Sequence, residues 1–113
     1  MTYDTRRSPR VELIYDADCP NVESARAALR KALSAVGARE EWLEWNRGSP
    51  EAPESLRRFG SPTVLVNGRD VGGDDGSGAG DRSCRIYADA SGRVSGFPSP
   101  QLILAAIAAE SAP

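Results

Sequence analysis

Apolar residues recur first at the spacing of a strand and then at that of a helix, and the change falls across residues 16–21. Val11 to Tyr15 (VELIY) puts Val11, Leu13 and Tyr15 on one side and Ile14 on the other, which predicts a strand covered on both faces. Val22, Ala25, Leu29, Ala32, Leu33 and Val36 then follow helical spacing. They predict a helix that starts at Pro20, with Asp18 or Cys19 as N-cap, and ends in a left-handed cap at Gly37. Glu41 to Trp45 reads as a second strand, and Ser49-Pro50 opens a short helix carrying Leu56 and Phe59 and ended by Gly60. Thr63 to Val66 is a third strand closed by the Asn67-Gly68 turn signal. Cys84 to Ala88 reads as a fourth strand, followed by a turn near Ser91-Gly92. A last helix runs from Pro100 to about Ala109 on a stripe of Leu102, Ile103, Ala106 and Ile107.

The predicted order is β-α-β-α-β-β-α. Its first strand–helix–strand unit requires a parallel, right-handed crossover, and its later pair of strands forms most simply an antiparallel hairpin. The expected fold is α/β, a four-stranded mixed sheet with helices on both faces. Residues 1–9 read as a flexible N-terminal arm and residues 10–110 as one domain. Residues 68–83 hold six glycines and four aspartates and read as a long loop. That loop lacks the spacing and terminal glutamate of an EF-hand, so no calcium site is assigned to it. Trp42 and Trp45 are an odd number of positions apart and should point to opposite faces of a regular strand.

Composition narrows the chemistry. With 113 residues, 40% hydrophobic and 27% charged, the chain can bury a core without metal or disulfides. A net charge of −2 argues against a broad nucleic-acid footprint, and Arg6, Arg7 and Arg10 read as a solvated arm. The apolar run from Leu102 to Ala109 is too short to span a membrane. The start MTYDTRRSPR has no apolar signal segment, so the expected location is cytoplasmic. There, two cysteines are expected as free thiols or a transient pair. No histidine is present, which removes a histidine general base, a Ser-His-Asp triad and histidine-ligated zinc from consideration within this chain.

The chemistry-bearing feature is Cys19-Pro20 at the strand–helix junction. A thiol there meets the positive end of the helix dipole and amide groups with no intrahelical partner, which favours thiolate. Asp16 and Asp18, the candidate acids, oppose it. Three residues on, where a dithiol site would have its second cysteine, stands Val22. Cys84 is the candidate second thiol, as a resolving partner, a second soft ligand or an ordinary strand residue.

With Cys-Pro at the first strand–helix junction and Ser61-Pro62-Thr63 entering the third strand, the chain resembles the thioredoxin-like superfamily in its short, glutaredoxin-like form. The stretches YDADCPN, FGSPTVLVNGRD and SCRIY resemble a narrower group of small bacterial proteins often loosely labelled alkylmercury lyase or mercury-resistance-associated. The resemblance implies a cis-proline at Pro62 beside the active cysteine. It also implies that Pro20, Ser61, Pro62 and Thr63 position a thiol or disulfide substrate, with backbone groups beside the cis-proline open to an extended peptide or to glutathione. It implies no resident cofactor; the Cys-Gly-Phe-Ser motif of cluster-binding monothiol relatives is absent. Three readings follow. In the first, Cys19 acts as a single thiol in redox or glutathione-linked chemistry. In the second, Cys19 and Cys84 handle a soft metal such as mercury, with Asp16 or Asp18 as acid. In the third, the chain is a non-catalytic binding module on the same fold.

Overall fold

The strand most uniformly apolar in sequence lies inside the sheet. The computed structural model describes residues 9–73, 87–88 and 91–111. In it β1 (Val11–Tyr15) runs parallel to β2 (Leu43–Asn46), with Tyr15 beside Asn46, and antiparallel to β3 (Thr63–Val66), with Ile14 beside Thr63. Antiparallel to β3 on its far side lies β4 (Arg69–Asp70), which gives the order β2-β1-β3-β4. The described residues thus form a mixed α/β structure with a four-stranded mixed sheet and three helices.

Helix α1 (Val22–Ala35) and helix α3 (Pro100–Ser111) cover one face. There Val11, Leu13, Val64 and Val66 pack with Ala25, Leu29, Leu33, Ile103 and Ile107. The short helix α2 (Glu54–Arg57) belongs to the other face, where Leu56 and Trp45 pack on Ile14, Phe59 and Leu65. That face also holds the buried carboxylate of Glu12, which accepts hydrogen bonds from Trp45 Nε1 (2.8 Å) and the Arg10 guanidinium (3.3 Å). Trp42 packs against the α1 cluster and Trp45 against the Ile14 cluster, so the two indoles do take opposite faces.

Three boundaries differ most from the sequence reading, and β2 runs Leu43–Asn46 where Glu41 to Trp45 was expected. The first helix begins later than Pro20. Cys19 N–H closes a turn on the Asp16 carbonyl, and the first helical bond runs from Ala25 N–H to Asn21 C=O, which makes Asn21 the N-cap. At the other end Ala38 and Gly37 donate to Leu33 and Ser34, the paired bonds of a Schellman cap. The second helix forms only after Pro53, because a proline has no N–H to continue a turn begun at Ser49.

The outer strand of the sheet is the third and largest correction. Asn67 and Gly68 both have positive φ, 53° and 82°, as a two-residue hairpin turn with the right-handed twist of its strands requires. The chain therefore returns at once, Arg69 pairs with Val66, and Arg69–Asp70 takes the place assigned to Cys84–Ala88. The start of the expected 68–83 loop is hairpin and strand. Of the segment expected as the fourth strand, Tyr87–Ala88 (β5) pairs with Val94–Ser95 (β6) in a separate two-stranded sheet. Residues 84–86, the rest of the Gly/Asp-rich loop from 74, and the N-terminal arm up to residue 8 lie outside the described residues. Among the described residues, no helix is long and apolar enough to cross a membrane.

Candidate functional site

Parallel pairing brings the carboxyl ends of β1 and β2 to one end of the sheet, and antiparallel pairing brings the start of β3 there too. The loop Asp16–Asn21 leaves β1 at this end and carries Cys19, a free and half-buried thiol packed against the α1 cluster. Pro20 is exposed and lies just before the N-cap. Val22 is buried at the first helical position.

Asp16 is the node of the site. Its backbone N–H donates to Ser61 Oγ at 2.8 Å, tying the cysteine loop to the residue before Pro62. Its carboxylate accepts from Arg47 Nη1 at 3.1 Å (Oδ1) and 2.9 Å (Oδ2). These two side chains are only 23% and 14% exposed, so this is a largely desolvated pair and not a surface one. Arg47 is fixed twice more: its backbone N–H donates to the Tyr15 carbonyl at 2.8 Å, and its Nε to the Arg57 carbonyl at 3.1 Å. Asp16, a candidate acid from sequence, is thus engaged as an anchor. Asp18 is exposed.

The Ser61–Pro62 peptide bond is cis. Ser61 and Thr63 are 1% and 0% exposed, and Pro62 is equally buried. Thr63 Oγ1 donates to the Gly60 carbonyl at 2.7 Å. The Pro62 carbonyl accepts from the Tyr87 hydroxyl, itself buried. On β3, Val64 C=O accepts from Val71 N–H, and Pro62 C=O is the next carbonyl on the same side, past the end of β4. Tyr87 therefore completes a ladder that the two-residue β4 is too short to reach. The expectation of open backbone beside Pro62 is corrected for this carbonyl, which belongs to a buried residue and is bonded within the chain.

The loop before α3 closes the site from the α1 side. Asn21 makes no side-chain cap bond; its side chain lies against the backbone of Gly96. A Cβ on Gly96 would fall 2.7 Å from Asn21 Cγ, closer than atoms pack, so a larger residue there would force the Asn21 side chain to shift.

Sequence reading brought out Cys19, Asp16, Ser61 and Pro62, and all four lie at this end of the sheet. Arg47 and Tyr87 were missed. Arg47 carries no motif, its one signal being that it directly follows a strand parallel to β1; Tyr87 stands in the SCRIY stretch, where only Cys84 was given a role. Cys84 lies outside the described residues, so its relation to Cys19 does too. Among the described residues, no three Cys, Asp or Glu side chains converge to hold a metal ion. No family model, curated protein or solved structure matches this chain significantly.

Proposed function

We propose that this chain is a thioredoxin-like protein in which Cys19 works as a single nucleophilic thiol in thiol–disulfide exchange. The strand order β2-β1-β3-β4, with one parallel and two antiparallel pairs, supports the fold reading. The observation that carries the function is the hydrogen bond from Asp16 N–H to Ser61 Oγ. It holds the cysteine turn against the Ser61-Pro62 segment, so a part-exposed thiol sits at a built junction of three strands.

The chemistry is a two-step exchange. The Cys19 thiolate attacks one sulfur of a disulfide; the bond from Cys19 Sγ to that sulfur forms as the disulfide bond breaks. The departing sulfur leaves with the electron pair and takes a proton from water. With Val22 where a second thiol would stand, an external thiol such as glutathione then attacks the mixed disulfide. That attack releases Cys19 as thiolate and forms the second disulfide.

The test is the rate of Cys19 alkylation by iodoacetamide across pH, with mass analysis of mixed-disulfide formation on adding hydroxyethyl disulfide. Cys84→Ala is the background, so that one thiol reports. The expected results are alkylation at neutral pH faster than that of a small unactivated thiol, and one adduct that Cys19→Ser abolishes. A rate equal to the small thiol's at every pH, without an adduct, leaves the binding-module reading in its place.

A further inference from the structure

Cys19 sits on a turn whose first residue is an aspartate, an arrangement that by charge alone works against a thiolate. The structure pairs that aspartate with a cation from the turn after β2. We infer that Arg47 is a positioning residue for Cys19: by holding the Asp16 carboxylate it fixes the turn that presents the thiol. The inference rests on the reading of Cys19 as a nucleophile.

Three observations support it. Both charges are largely withdrawn from water, so their interaction is weakly screened. Arg47 is held at its backbone by Tyr15 and at Nε by Arg57, which leaves Nη1 aimed at Asp16 with little freedom to swing away. Asp16 in turn is fixed by Ser61 through its N–H and to Cys19 through its carbonyl, which accepts Cys19 N–H at 3.0 Å. A displacement of Arg47 thus reaches the thiol through one residue.

The remaining charges of the surrounding elements are placed differently. Asp18 is exposed on the same turn. On α1, Glu23 is paired with Arg26, which also holds Glu44 on β2. Behind Arg47, the Arg57 guanidinium donates to the carbonyls of Ala52 and Ser49. Arg93 precedes β6, on the way to Gly96. Among these described groups, Arg47 is the cation bonded to Asp16.

Four variants in the Cys84→Ala background test the inference through the alkylation pH profile. Arg47→Ala should slow alkylation by roughly three- to tenfold across the profile, because the turn that presents the thiol loses its anchor. Arg47→Lys should recover most of the rate. Asp16→Asn, which weakens the same clasp from its other side, should slow alkylation by a smaller factor. The double variant Arg47→Ala/Asp16→Asn should be about as slow as Arg47→Ala, since both changes open one clasp. Two residues acting separately predict instead a double variant slowed by the product of the single factors. That outcome, or an unchanged profile in Arg47→Ala with a fast parent, overturns the role of Arg47 alone. A slow parent overturns the reading of Cys19 and this inference with it. Far-ultraviolet circular dichroism of each variant reports whether it is folded, and a comparison of the lysine variant with the parent serves if the alanine variant is not.

Discussion

Both ends of the sheet are held by polar contacts, but of different kinds. At the end away from Cys19, Arg10 and Asn67 exchange two hydrogen bonds of 2.7 Å, and Glu110 of α3 accepts from Asn67 and Arg69. These contacts face solvent; Arg69 is 82% exposed. At the Cys19 end, Asp16, Arg47, Ser61, Pro62 and Tyr87 make theirs largely or wholly away from water. A polar contact that water can replace contributes little and constrains little. One that water cannot reach costs much when broken and fixes the geometry of what it joins. Positional precision in this fold is therefore concentrated where the thiol is.

The largest expected break in this contrast is Asp16→Ala. It leaves Arg47 with most of its desolvation and no carboxylate, and should lower unfolding free energy by about 2–3 kcal/mol in chemical denaturation. A loss under about 0.5 kcal/mol would put this pair in the surface class and erase the difference between the ends. Ser61→Ala removes the acceptor of Asp16 N–H at a site 1% exposed and should cost about 1–2 kcal/mol by the same measurement.

Glu44, on the edge strand between the two ends, gives an intermediate case with a pH signature. The hydrogen bond from Arg26 holds its carboxyl below the ordinary value; burial works against this, and the bond from Trp42 adds to it. A group lowered on folding stabilises the fold above its unfolded value and ceases to do so as pH falls through its folded one. Glu44→Gln should therefore cost about 0.5 kcal/mol at pH 7, and the difference from the parent should vanish in acid. A difference that grows on acidification would reverse the assignment. At the far end, Glu110→Ala should change thermal or chemical stability by no more than about 0.5 kcal/mol. A larger loss would show that the exposed contacts fix that end as firmly as the buried ones fix the other.

Local pattern carried much of the fold. Apolar residues on both sides of β1, Val11 and Leu13 against Ile14, marked a strand buried on both faces, and the 3.6-residue recurrence through Leu29 and Leu33 marked α1. Asn67-Gly68 was the clearest turn signal in the chain, and taken at its two-residue length it places a strand at Arg69. Assigning the outer strand to the more apolar CRIYA failed because an edge strand needs no apolar run; Arg69 and Asp70 fill it by backbone pairing with charged side chains. The helix start was misplaced by two residues because Pro20 suits the first helical position but also suits the turn that precedes it.

The sequence by itself determined that Cys19 would stand at the junction of a buried strand and a helix, with Val22 in place of a second thiol. Both facts follow from residues within a few positions of each other, where propensity and periodicity apply. Only the tertiary structure decided what surrounds that thiol. Arg47 reaches Asp16 across 31 positions and Ser61 reaches it across 45, through strand pairings that bring three chain ends together. An ion pair and a buried hydroxyl have no periodicity to read. Their partners are chosen by which groups the folded sheet leaves side by side and away from water.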